Sequence, residues 1–205
     1  MTRIIPPARP HRDRERLARL LTNLDIDANQ AVIVFVRGHY LDSMGVKSVN
    51  DYNIYDDSAY LIADNFRTFE SWNANTDPSF AKRGGRRFAK INAGVYRFYQ
   101  GKHKSQYNAL RAHPEGVRIP CTREGEASTA QYINIHKGGT NPRSVSVTHS
   151  EGCLTIPDTQ YADFISRVYQ SMDRRGQRTI PVILVENKPT RQGQRWHDAS
   201  GRVVA

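Results

Sequence analysis

Apolar and polar positions follow two rhythms along this chain. Leu17, Leu20, Leu21 and Leu24 recur at helical spacing, with Arg14, Arg16 and Arg19 between them, which predicts an amphipathic helix over residues 13–24. A second helix is predicted from Asp158, placed to N-cap it, through Met172, with Tyr161, Phe164, Ile165, Val168 and Tyr169 on one face. Between them the pattern is that of strands. The dense β-branched run at 31–38 closes on a glycine and reads as a buried strand, as does 179–186 in spite of Pro181. Ala59–Ala63, Ala93–Tyr99, Val117–Ile119 and Tyr132–Ile135 give shorter β-like runs. Tyr40–Tyr60 mixes Gly, Asn and Asp with tyrosines, as short strands joined by tight turns do, and Lys82–Arg87 forms a basic hairpin-like turn around Gly84-Gly85. Ser105–His113 reads as a short helix after a polar loop. The fold class expected is mainly β with flanking helices (α+β). A basic arm and helix occupy 1–28, with residues 1–12 flexible; one catalytic domain fills 29–187, and a loosely held basic polar tail runs over 188–205.

Composition narrows the partners. A chain of 205 residues suits one well-filled core. Thirty Lys and Arg against twenty Asp and Glu give a formal charge of +10, which favours nucleic acid, anionic lipid or the anionic polymers of a bacterial wall, or serves solubility alone. No nucleic-acid-binding module is recognisable, so nucleic acid is not an expected partner. No segment approaches the roughly 18 apolar residues of a membrane span, and the Pro-rich, charged N-terminus lacks the apolar core of a signal peptide. Synthesis in the cytoplasm without an export signal, and no membrane insertion, are therefore expected. Two cysteines, Cys121 and Cys153, make neither a disulfide scaffold nor a four-cysteine zinc site; Cys121, at the end of a strand, is most simply a small buried hydrophobe.

Chemistry concentrates in Gln131–Pro157. A short β-prone run delivers His136, Gly138-Gly139 and Asn141-Pro142 break into a loop, and the chain returns to Ser150-Glu151-Gly152-Cys153. A thiol is mostly protonated at neutral pH and needs a base or cation beside it, and His136 can be that base if the loop folds back. Glycine before Cys153 allows a tight turn that exposes the thiol and nearby N–H groups. Zinc is the chemical rival, since His136, His149 and Cys153 offer three ligands, but no fourth appears and no metal is expected. Asp56-Asp57 also invites a metal but reads as a solvated turn. Asn73, Asn75 and Asp77 form a polar patch beside Trp72 that either orders a loop or faces a substrate.

These residues resemble the L,D-transpeptidase catalytic domain, the YkuD-like family. In that family a strand-closing histidine precedes, after a loop, Ser-His-Gly-Cys, and the match here is Ile135-His136-Lys137-Gly138 followed by Ser150-Glu151-Gly152-Cys153. The runs at 36–45, 69–79 and 91–103 add a looser likeness to phage-encoded lysins carrying this domain. The resemblance implies an L,D-transpeptidase-like β-sandwich. It implies Cys153 as nucleophile and His136 as general base, with Gly152 freeing backbone N–H groups for an oxyanion hole. Ser150, Gly138, His149 and Glu151 would support them, and Asn73, Asn75, Tyr96, Tyr132 and His103 are candidate substrate contacts. The chain departs from the family at Glu151, where histidine is usual, and at Thr155, where a basic residue is common; His149 is a partial substitute. The substrate implied is the stem peptide of peptidoglycan, cleaved or cross-linked through a thioester without a cofactor. The protein would be a phage lysin or antibacterial effector reaching the wall with a holin or a secretion apparatus as delivery partner. A module that keeps the fold and only binds the wall is the alternative.

Overall fold

The computed structural model describes residues 3–47, 50–190, 193–198 and 200–205. In chain order its elements are α1 (Arg14–Asn23), β1 (Val32–Arg37), β2 (Asp57–Ala63), β3 (Thr68–Ala74), β4 (Lys82–Arg83), β5 (Arg86–Arg87) and β6 (Lys90–Ile91). There follow β7 (Gly94–His103), β8 (Tyr107–Ala112), β9 (Ile119–Arg123), β10 (Glu126–Ala130), β11 (Asn134–Gly138), β12 (Leu154–Pro157), α2 (Asp158–Asp173), β13 (Ile180–Thr190) and β14 (Gly193–His197). The protein is mainly β, built on a mixed sheet in the order β12-β11-β8-β7-β13-β1-β2-β3, with β14 paired to β13. The sheet curls until its two ends almost meet. Asn75, just beyond β3, exchanges both backbone hydrogen bonds with Thr155 on β12, at 2.9 and 2.8 Å.

β1 is buried along its whole length because it has a core on each side. Ile33 and Phe35 point into an inner core with Trp72, Phe98, Leu154 and Phe164, where α2 and a small β10-β9-β6 sheet close the curl. Val32, Val34 and Val36 point outward into a second core against Leu17, Leu20 and Leu21 of α1. That double burial is why the run reads as continuous β-branched residues and not as an alternating strand. Cys121 is buried in the inner core, as expected of a small hydrophobe.

Several elements differ from their sequence reading. Residues 3–12 lie across the sheet instead of trailing free. The Ile4 carbonyl accepts from the Tyr55 amide at 2.8 Å, the Pro10 carbonyl from Ser71 Oγ at 2.9 Å, and Arg9 pairs with Asp163 of α2 at 2.8 Å. The C-terminal segment is likewise part of the fold, with Trp196 and Val204 buried in the outer core and Arg16 stacked 4.1 Å over the Trp196 ring. Residues 107–112, expected as a helix, form β8, because Lys104 and Ser105 turn the chain in the left-handed region (φ 48° and 59°) and fold it back on β7. No strand forms between β1 and β2 among the described residues of Tyr40–Asp56. α2 begins at Asp158 itself, with Pro157 at the cap position and no side-chain cap; Asp158 instead accepts from Thr140 Oγ1 at 2.7 Å.

Asp56 and Asp57 are fully buried and not a solvated turn. Asp57 accepts from the Gly38 and Thr76 amides, both at 2.6 Å, and from Thr76 Oγ1 at 2.7 Å. Arg37, itself buried, sits among Asp77 at 3.3 Å, Glu186 at 3.1 Å and Thr76. Lys90 reaches Asp77 at 3.2 Å from the other side. Burial pulls the Arg37 pKa down, but Asp77, Asp57 and Glu186 outweigh it and hold it above its ordinary value. Burial pushes both Asp56 and Asp57 up, and repulsion adds to it, from Asp57 at Asp56 and from Asp77 at Asp57.

Candidate active site

The pairing of β11 with β12 sets His136 and Cys153, the residue just before β12, on neighbouring chain segments. The strands run parallel, with Ile135 opposite Leu154 and His136 opposite Thr155. Ile135, Leu154 and Ile156 point into the inner core, so the alternating residues Asn134, His136, Cys153 and Thr155 share the opposite face. The Asn134 amide donates to Cys153 Sγ at 3.4 Å, which extends the register and sets the sulfur one strand over and two residues back from His136.

The imidazole is fixed in one orientation. His136 Nδ1 lies 2.9 Å from the Lys137 carbonyl. A carbonyl only accepts, so Nδ1 carries the proton and Nε2 keeps its lone pair, the form a general base requires. The ring stacks on His103, with centroids 4.2 Å apart and planes at 22°. His136 is 3 % exposed. Burial, followed by the neighbouring His103, pulls its pKa down to about 4. Burial pushes the Cys153 thiol up to about 11, with Glu151 adding to the rise and the Asn134 amide and Lys104 opposing it. At neutral pH the pair therefore rests as thiol and neutral imidazole, not as thiolate and imidazolium.

The turn that presents Cys153 is organised by Ser150. Its Oγ donates to the Cys153 carbonyl at 2.6 Å and accepts from the Gly152 amide at 3.1 Å, while its own amide and carbonyl are both held by Ser79, at 3.1 and 2.7 Å. Gly152 adopts φ 143°, and a Cβ there would lie 2.9 Å from the Ala89 carbonyl, so only glycine fits. The Gly152 amide itself is taken up by Ser150 Oγ. Gly138 is required for a different reason: a Cβ would collide with the Tyr55 hydroxyl and lie 2.8 Å from the Thr148 carbonyl.

The remaining candidates separate cleanly. His103 belongs to the site through its stack on His136. His149 is exposed, in the left-handed region (φ 56°), and its ring packs over Gly139. Glu151 points outward and pairs with Arg86 at 2.8 Å. Asn73 is buried with its carboxamide tied to Gln160, Tyr40 and the Ala8 carbonyl, and Asn75 is buried at the sheet closure with Nδ2 on the Ile54 carbonyl. Tyr96 donates to the Asn92 carbonyl at 2.7 Å. These three hold the scaffold together. Tyr132 is 62 % exposed on the approach to β11. Asn134 is the residue sequence reasoning missed. Its Oδ1 has no hydrogen-bond partner, and its Nδ2 lies 3.4 Å from His103 Nδ1. Its place two residues before His136 was the available signal, since residues at that spacing share a strand face.

Among the described residues no group of three or more His, Cys, Asp or Glu converges as a metal site, and no helix is long and apolar enough to cross a membrane. Comparison of the sequence with protein-family models finds no match, and neither does comparison with curated proteins.

Proposed function

We propose that this protein is a cysteine acyltransferase or peptidase of the L,D-transpeptidase type, acting on the stem peptides of peptidoglycan. Supporting this most strongly is the placement of His136 and Cys153 on one face of adjacent parallel strands, with the Lys137 carbonyl holding the imidazole in its basic form. The nearly closed sheet corresponds, in this reading, to the L,D-transpeptidase-like β-sandwich. His136 Nε2 takes the thiol proton as Sγ bonds to a stem-peptide carbonyl carbon. The C–N bond then breaks, the proton passes to the departing amine, and a thioester remains. Water attacking the thioester gives cleavage and regenerates the thiol; an amine gives a new cross-link. Asn134, opposite Cys153 on the same face, is the side-chain donor placed to meet the carbonyl oxygen. Because both groups rest neutral, proton transfer accompanies attack and does not precede substrate binding.

Muropeptide mass spectrometry tests the reading: purified sacculi should yield stem-peptide products with the wild type and none with Cys153→Ala or His136→Ala, while a substrate mass on Cys153 would identify the thioester. Products from both variants would overturn it. A second reading, a wall-binding module without chemistry, is favoured by the thiol pushed up to about 11 and by the +10 charge. That reading predicts salt-sensitive binding to sacculi with no released fragments. Delivery as a phage lysin with a holin, or as an effector through a secretion apparatus, is compatible with either.

A further inference from the structure

Beside the Cys153 turn stands a basic hairpin that the proposed reaction does not use. β4 and β5 place Lys82, Arg83, Arg86 and Arg87 on exposed strand positions, two on each side of Gly84-Gly85, both at positive φ (56° and 78°) with open space around them. The hairpin is fastened to the site. The Ala89 amide donates to the Glu151 carbonyl at 3.2 Å, and the Ala89 carbonyl and Cβ wall in Gly152. Glu151 is two residues from Cys153, so their Cα atoms are at most about 7.6 Å apart.

The four cations are not equally engaged. Arg87 pairs with Glu126 at 2.5 Å and lies 3.6 Å from Glu124, and Lys82 is 4.0 Å from Glu124. Arg83 stacks 5.3 Å over Phe80 and has no carboxylate in ion-pair range among the described residues. Arg86 has one carboxylate partner, Glu151, and its guanidinium also lies 5.5 Å over the Phe88 ring; both side chains of the ion pair are mostly exposed, at 68 % and 59 %. An ion pair that exposed holds the turn weakly and is open to exchange. A guanidinium offers a planar fork of donors matched to a carboxylate, and here it stands on the rim of the site, backed by the Phe88 ring and with one replaceable carboxylate on its fork.

Resting on the acyl-transfer reading, we propose that Arg86 is the specificity-determining residue of this site. It binds a carboxylate of the peptide substrate in place of Glu151, with Arg83 adding positive field. Glu151, which stands where the resembled family has histidine, is then an internal competitor for the substrate carboxylate.

The two partners of the pair should therefore have opposite effects. Binding is measured by calorimetry on Cys153→Ala protein, which cannot turn over, with a purified tetrapeptide muropeptide and with the same muropeptide amidated at its carboxyl groups. Amidation is expected to weaken binding by about tenfold, the range of a charge-assisted hydrogen-bonded pair. Adding Arg86→Gln should weaken the carboxylate form to the level of the amidated one, and adding Glu151→Gln should tighten it several-fold. If both substitutions shift affinity in the same direction, the ion pair is only structural and the proposal is overturned. Indifference to amidation, with or without Arg86-dependent binding of inorganic polyphosphate, also overturns it. Wild-type protein that cleaves acid and amide forms equally well removes this inference and leaves the catalytic reading intact; protein that neither binds nor cleaves either form removes both.

Discussion

Two regions of this protein take ionisable groups out of water and resolve the cost in opposite ways. Around Arg37, Asp77 and Glu186 supply counter-charge and Asp57 takes amide donors, so the guanidinium keeps its charge inside the fold in a network linking β1, β2 and β13. At the β11–β12 face His136 is buried and Cys153 half-buried, with no counter-charge in ion-pair range among the described residues, and both are driven to their neutral forms. The first arrangement spends most of its polar groups on one another, leaving Asp56 Oδ1 without a hydrogen-bond partner. The second leaves a lone pair on Nε2 and a protonated thiol on neighbouring chain segments.

Substitutions should separate the two regions. The largest expected effect is on turnover: Cys153→Ala should reduce muropeptide release by about four orders of magnitude or more, with a thermal midpoint close to wild type. Next in size is Arg37→Met, which removes the buried cation facing Asp77 and Glu186, leaves Asp77 with the half-exposed Lys90 as its cation, and should cost about 3–5 kcal/mol of stability by denaturant titration. A cost below about 1 kcal/mol would mean that the network is no stronger than a surface pair.

A smaller effect, of opposite sign in the two regions, is expected from pH. The His136 pKa is lowered from 6.5 to about 4, so on acidification the unfolded chain takes up the proton first. Its contribution is present above pH 6.5 and is lost as pH falls toward 4. Asp56 and Asp57 are raised in the fold, so their contribution is present at low pH and is lost as pH rises through their folded values. Thermal midpoints across pH 4–8 for His136→Gln and Asp57→Asn should flatten opposite limbs of the wild-type curve. Smallest of all is His103→Ala, which removes the stacked neighbour and should move the His136 pKa upward in an NMR titration; no movement would restrict His103 to packing.

What the sequence disclosed depended on the range of the interaction involved. β1, β13, α1 and the reach of α2 were legible because apolar periodicity is local. The Ser150–Cys153 turn was legible because the glycine before Cys153 marks it locally. Asp56-Asp57 was misread because its partners, Gly38 and Thr76, stand 19 residues away on either side. Asn73 and Asn75 pointed to a polar patch but not to its use, since Gln160 and Thr155 lie 87 and 80 residues on. The terminal segments failed in the same way. Proline and charge look like looseness until Ser71, Tyr55 and the sheet face they dock on are in place.

The single rung between Asn75 and Thr155 carries a consequence for motion. β12 is held to β11 by four paired positions but to the β3 side by this one pair. Parting the seam gives up two hydrogen bonds, about 1–3 kcal/mol, whereas exposing β1 requires the whole domain to unfold. The strand that follows Cys153 thus meets β3 at a seam where the ring can breathe, and amide exchange at Asn75 and Thr155 would run ahead of that in β1.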